Sequence, residues 1–145
     1  MQIVALSVRT LVEFVLRCGS IDSRFSGSDR AAEGSRIHRK LQKAGGEHYS
    51  AEVAMKATRV VDDIIYNLDG RADGVIEEKD GIVIDEIKTT AAPAEKLTED
   101  FNPLHWAQAK CYAAFYCAEH QVDFITVQIT YYQIDTEEII RHRKS

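Results

Sequence analysis

An Asp80-Gly81 pair set between two β-type runs, Arg71–Glu78 and Ile82–Thr89, restricts this chain more than any other feature. Asp-Gly between such runs is among the strongest short-range signals for a β-hairpin. If Asp80 and Gly81 form a two-residue turn, Lys79 pairs with Ile82. Counting back then sets Asp73 opposite Lys88 and Val75 opposite Glu86. Side chains alternate faces along a strand, so Asp73, Val75, Glu86 and Lys88 share one side. Opposed side chains lie about 5 Å apart and diagonal ones about 7–8 Å, close enough for two carboxylates to share one cation. A shift of one residue would break the arrangement.

Two acids and a lysine on one face also describe a cross-strand salt bridge on a solvated hairpin, worth about 1 kcal/mol or less. The neighbours argue against that simpler account. Ile82, Val83, Ile84 and Ile87 surround Asp85, Glu86 and Lys88, so the strand reads as buried on both faces. Acids in such a place need a partner or a metal.

The rest of the chain sets bounds. Its 145 residues suffice for one domain with a real core and not for two. No run of 18 apolar residues exists, and the start lacks a basic n-region, so neither a membrane span nor a signal peptide is expected. Cys18, Cys111 and Cys117 are odd in number and form no CxxC pair, which fits reduced thiols and a cytoplasmic location. A net charge of −5 argues against a phosphate-binding surface. The average hides an asymmetry: Arg24–Lys43 holds six Lys/Arg against two acids, while acids gather in Asp62–Asp100.

In order, Ser7–Arg17 reads as an amphipathic helix capped by Ser7 and ended near Gly19. Gly19–Asp29 reads as a loop. A second helix runs from Ser28 or Asp29 to Ala44, with Arg36, Arg39, Lys40 and Lys43 on its polar side and Ile37, Leu41 and Ala44 on its apolar side. His38 lies one turn after Gly34, whose missing side chain would admit a neighbouring backbone; a lone helical histidine is otherwise usually a surface residue. Tyr49–Lys56 and Val60–Leu68 read as two strands that, with the hairpin, make a four-stranded antiparallel meander. Glu52 either looks into the same site or is solvated. A helix starts at Asn102-Pro103 and runs through Glu119, with Leu104, Ala107, Cys111, Ala114, Phe115 and Ala118 as its apolar stripe. Gln108 and Tyr112, four apart, lie at the edge of that stripe, where a simple packing pair is the alternative. Val122–Gln133 is a β-branched strand, and the tail Glu137–Ser145 offers no closing element, which points to a domain cut from something longer.

Glu86-Ile87-Lys88 after an acid on the preceding strand reproduces the (D/E)xK signature, and the chain is identified as a member of the PD-(D/E)XK nucleases. Gly70-Arg71-Ala72-Asp73, Asp85-Glu86-Ile87-Lys88-Thr89, a helical histidine before the sheet (His38) and Gln108-Ala109-Lys110-Cys111-Tyr112 after it resemble the RecB-type exonuclease branch. Ser7–Phe14, Glu33–Leu41 and His105–Lys110 resemble the nuclease domain at the front of some bacterial DinG-like (XPD-like) helicases. The resemblance implies an α/β restriction-endonuclease-like core, with a mostly antiparallel or mixed sheet flanked by helices. It makes residues 1–145 a single nuclease domain, with a helicase domain in the same chain. It implies metal-dependent hydrolysis of DNA, single-stranded or at ends, in repair or recombination.

Asp73 and Glu86 are hard oxygen ligands suited to Mg²⁺. With His38 added, Mn²⁺ suits equally. The Ile87 carbonyl is a further ligand by resemblance. Lys88 would orient or deprotonate water and stabilise the transition state. By resemblance Gln108 and Tyr112 position phosphate or water. Arg36, Arg39, Lys40 and Lys43 would track the nucleic-acid backbone. Some relatives carry an iron–sulfur cluster on four cysteines; three misplaced ones give no reason to expect it. A catalytically silent nucleic-acid-binding or docking domain is the alternative, and a purely structural α/β domain would leave His38, Gln108 and Tyr112 facing away from the hairpin.

Overall fold

The computed structural model describes residues 2–15, 28–122 and 124–145. Its elements are β1 (Gln2–Ser7), α1 (Val8–Val15), α2 (Ser28–Ala44), β2 (Tyr49–Val61), β3 (Ile64–Glu78), β4 (Gly81–Thr90), a 3-10 turn at Ala94–Lys96, α3 (Pro103–His120), β5 (Ile125–Gln133) and β6 (Ile139–Lys144). The helix end near Gly19 and most of the Gly19–Asp29 loop, together with Cys18, lie outside the described residues. Cys111 and Cys117 are free thiols. No helix among the described residues is long and apolar enough to cross a membrane.

The strands form one mixed sheet in the order β1-β3-β4-β5-β6, with β2 on the other edge of β3. This is the expected α/β architecture, reached by a different route. The four-stranded meander is two long strands and a shorter one. β2 and β3 pair from Tyr49↔Ile76 to Val61↔Ile64, interrupted at Glu52 and Asp73 alone. The Ala57-Thr58-Arg59 connection does not exist; the reversal falls at Asp62-Asp63, both at positive φ (50° and 66°). Asp tolerates that conformation better than most residues because its short side chain can bond locally.

β3 is long enough to serve two partners along one edge. β1 runs parallel to its first part, Gln2↔Ile64 to Ser7↔Asp69, and β4 runs antiparallel to its last, Gly74↔Asp85 to Glu78↔Gly81. β4 then pairs parallel with β5. Strand β1 was not foreseen, and the expected strand from Val122 begins at Ile125. The tail is also a correction. Ile139–Lys144 closes the sheet antiparallel to β5.

The 78↔81 register corrects the hairpin. Lys79 and Asp80 form the loop, and Gly81 takes the unusual backbone conformation (φ 139°) just after it. The register is therefore shifted by two residues from the one expected. Two is even, so the side chains of the paired residues 74–78 and 81–85 keep their expected faces.

Helices cover both faces. Asn102 caps α3, its Oδ1 accepting from Leu104 N–H at 3.0 Å, with Pro103 at the first helical position. Ser7 Oγ likewise accepts from Thr10 N–H at 3.1 Å at the head of α1. The buried face of α3 is Trp106, Ala109, Tyr112, Ala113 and Phe115; of the stripe read from the sequence Phe115 is buried and Leu104, Ala107 and Cys111 pack at its edge, while Ala114 and Ala118 are exposed. These side chains join Val8, Met55, Leu68, Ala72, Val75, Ile84, Val127, Ile129 and Tyr131 in one core. On the opposite side α2 runs past Thr89, 3.6 Å from where a Gly34 Cβ would sit. That spacing is an ordinary contact, so no close backbone approach demands a glycine there.

Candidate active site

The sheet changes its facing at one place. Ala72 and Val75 both belong to the core although three residues separate them, so β3 must turn over between them. The neighbouring strand does the same. Val53, Met55 and Ala57 face the core, whereas Tyr49 reaches the other side, and Glu52 between them has φ 53°. The 52–73 pairing is missing from an otherwise continuous ladder. This is the signature of a bulge-like kink, a device that re-aims side chains.

The β3–β4 ladder stops at Gly74↔Asp85, one residue short of Asp73 and Glu86. Side chains replace backbone pairing from there on. Ile87 N–H donates to Asp73 Oδ2 at 2.7 Å, and Asp73 N–H donates to Glu86 Oε1 at 3.4 Å. From α2, His38 Nδ1 lies 3.2 Å from Asp73 Oδ1. From the other face, Lys88 Nζ lies 3.3 Å from Glu86 Oε2 and donates to Gln108 Oε1 at 2.9 Å. An ammonium can only donate, so Gln108 must turn its oxygen to Lys88. Its amide NH₂ then donates to Tyr112 Oη at 3.2 Å.

His38, Asp73, Glu86, Lys88, Gln108 and Tyr112 thus form one continuous polar chain through the split in the sheet. Ile87 enters it through its N–H. Tyr112 is buried in the core face rather than at a stripe edge. Arg36, Arg39, Lys40 and Lys43 are exposed on α2, all within five residues of His38.

The electrostatics follow from burial. Glu86 is 2% exposed. Desolvation drives its carboxyl well above the usual carboxylate range, Lys88 pulls it back, and Asp73 pushes it up again. Burial by itself would lower the His38 imidazole, but the hydrogen bond and charge of Asp73 outweigh it and leave the histidine above its ordinary value. Behind Lys88, burial and the lysine charge hold His105 down at about 3. Its Nε2 lies 3.3 Å from Asn102 Nδ2, and its Nδ1 lies 2.9 Å from Tyr131 Oη. The cap bond fixes the Asn102 amide, so its nitrogen donates to His105 Nε2 and the Nδ1–H donates to Tyr131.

Two features escaped the sequence reading. Gln42, buried one turn after His38, donates to the Asp73 carbonyl at 2.9 Å and to Glu52 Oε1 at 3.0 Å. The i, i+4 spacing from His38 was the available signal. Glu52 itself is exposed and lies 4.0 Å from Arg71 Nη1. Asp85 is buried on the opposite face of β4 from Glu86. Its Oδ2 accepts from Tyr49 Oη at 2.6 Å, and its Oδ1 accepts from Gln128 Nε2 at 2.9 Å and Thr130 Oγ1 at 2.6 Å. No local pattern marks that set.

A profile of the PD-(D/E)XK nuclease superfamily matches residues 18–144, so the chain belongs to that superfamily. The fold is similar to the crystal structure of SSO0001, with a TM-score of 0.66 at 21% identity over 96% of this chain. The chain spans 65% of that protein's length. No curated protein matches the sequence.

Among the described residues no three His, Cys, Asp or Glu side chains converge as a metal cage. His38, Asp73 and Glu86 are bonded in series instead. Their chemistry nevertheless fits a divalent cation. Two carboxylates neighbour one another at the split, and the more deeply buried one, Glu86, is short of hydrogen bonds: one long backbone donor and Lys88.

Proposed function

We propose that this chain is a divalent-metal-dependent deoxyribonuclease of the RecB-like kind, acting on single strands or DNA ends in repair or recombination. The observation that carries the reading is the split between β3 and β4. There Asp73, Glu86 and Lys88 meet, although nothing in the fold's stability requires a buried acid and a half-buried one beside one lysine. His38, Asp73, Glu86 and the Ile87 carbonyl would hold Mg²⁺ or Mn²⁺. Such an ion supplies a lowered water pKa and neutralises charge on the scissile phosphate.

The chain's own residues do the rest. Lys88, held between Glu86 and Gln108, presents a fixed positive charge to the phosphate and to the attacking water. Tyr112 holds Gln108, and Gln108 holds Lys88. Arg36, Arg39, Lys40 and Lys43 grip the backbone without reading sequence. The likeness of several segments to the nuclease domain of DinG-like helicases supports a helicase domain in the same protein and a cytoplasmic setting.

The serial arrangement of His38, Asp73 and Glu86 favours a second reading, a silent nucleic-acid-binding or docking domain. Cleavage of end-labelled single- and double-stranded DNA with Mg²⁺, Mn²⁺ or EDTA separates the two. Metal-dependent cutting that drops on the order of 10³-fold in Lys88→Ala is expected. Wild type that neither cuts nor takes up Mn²⁺ in calorimetry would establish the silent domain.

A further inference from the structure

The buried network on the far side of β4 sits where the sheet divides. The last β3–β4 pair is Gly74↔Asp85. Both members belong to one construction: the Tyr49 ring leaves β2, lies across β3 at Gly74 and places its hydroxyl on Asp85 of β4. A Cβ at Gly74 would run into that ring and hydroxyl. Gln128 and Thr130 bind the same carboxylate from β5. Gln128 is held in turn by Arg143 Nε of β6 at 2.7 Å, and Arg143 closes on Glu78 of β3 with two bonds of 2.8 and 2.9 Å. One carboxylate therefore ties β2, β4 and β5 together across β3, and the outer links bring in β6.

Its neighbour in sequence is Glu86, on the other face. One residue beyond the tie, backbone pairing ends: Asp73 N–H donates to the Glu86 carboxylate and Ile87 N–H to the Asp73 carboxylate. A cavity of about 360 Å³ between α2 and this network is lined by the same Tyr49, Asp85, Gln128 and Thr130. Tyr49, Asp85, Gln128 and Thr130 already satisfy one another, and Arg143 is neutralised by Glu78.

We propose that Tyr49, Gly74 and Asp85 are positioning residues for the active site: they fix the point at which β3 and β4 separate, and with it the spacing of Asp73 from Glu86 and Lys88. This rests on the nuclease reading for its effect on rate, but not for its effect on geometry. Groups that orient a site without touching substrate typically matter by about 10–100-fold.

The test uses Tyr49→Phe, which keeps the ring over Gly74 and removes only the hydroxyl, with Asp85→Asn beside it. Steady-state cleavage and amide hydrogen exchange by NMR are measured on each folded variant. In Tyr49→Phe, kcat is expected to fall about tenfold or more with KM within about twofold. The Ile87 amide, whose partner is the Asp73 carboxylate, is expected to exchange about tenfold faster while β5–β6 amides keep their protection. Wild-type kcat together with wild-type Ile87 protection overturns the proposal. So does a loss of rate with Ile87 protection unchanged, because positioning must register at that amide. If Asp85→Asn fails to fold, Tyr49→Phe decides. If wild-type protein does not cleave DNA at all, the nuclease reading has failed, and the exchange measurement alone judges the positioning role.

Discussion

Asp85 and Glu86 are consecutive, and both are almost completely buried, at 3% and 2% exposure. Their surroundings could hardly differ more. Asp85 has three short donors from neutral groups, Tyr49, Gln128 and Thr130, and its valences are filled inside the protein. Glu86 has one long backbone donor and one lysine, and burial raises its pKa. A buried carboxylate saturated by neutral donors holds a structure together. One left short of partners, beside a second acid, has capacity to spare for something the protein does not contain. The alternation of β4 separates the two roles by a single peptide unit.

The sharpest way to break this contrast is to neutralise each carboxylate. Glu86→Gln is expected to reduce cleavage on the order of 10³-fold or more, with little change in thermal midpoint, because it removes a desolvated charge along with a charge partner. Gel cleavage assays and calorimetry on the same preparation read both. Asp85→Ala should strike stability as well as rate, leaving three buried donors unpaired and costing about 3 kcal/mol in urea unfolding. If Asp85→Ala proves as stable as wild type, the distinction between the two carboxylates falls.

Acid titration sharpens the comparison on the Glu86 side. His105 sits behind Lys88 with its folded pKa depressed to about 3, against an ordinary value of 6.5. A neutral imidazole is therefore favoured by the fold. Its contribution is complete above pH 6.5 and is lost progressively as the pH falls towards 3. His105→Gln should flatten the fall in stability across that window, measured by urea unfolding at a series of pH values. An unchanged pH profile would mean that the histidine is not held neutral by its surroundings.

The smallest effect belongs to the outer face of α2. Arg39→Ala and Lys43→Ala should weaken DNA binding modestly and alike for all sequences. Each should reduce the slope of log affinity against log salt by about 1. Filter binding from low to moderate salt measures it. A slope that does not move assigns these residues to solvent.

Much of the site could be read before the fold was known, and one part of it by a margin that physics explains. The hairpin turn falls one residue earlier than the sequence suggests, and the resulting even shift keeps Glu86 and Lys88 on the face of Val75. Asp73 reaches Ile87 N–H and Glu86 through the split beyond the last β3–β4 pair. His38, Gln108 and Tyr112 were legible as helical positions in a familiar order. What could not be read was non-local. β1 is a six-residue strand whose pairing partner lies about sixty residues away. The kink at Glu52 and Asp73 involves no glycine at the positive-φ position, so no breaker residue announced it. The donors to Asp85 come from β2 and β5, and only the folded sheet brings them together. β6 alternates in exposure once folded, but its sequence, Ile139-Ile140-Arg141-His142-Arg143-Lys144, shows no alternation of apolar and polar residues that would announce a strand.

The shared edge of β3 also bears on the order in which this protein assembles. Hairpins β2–β3 and β3–β4 close through turns of two residues each, Asp62-Asp63 and Lys79-Asp80, so they pay little loop-closure entropy. β1 must return across about sixty residues, and β5 waits for α3 to cross over. Asp73, Glu86 and Lys88 all belong to the early, local unit. Loop-closure entropy alone therefore predicts that the acids and lysine of the site meet while the chain is still open, with β1 and α3 enclosing them afterwards.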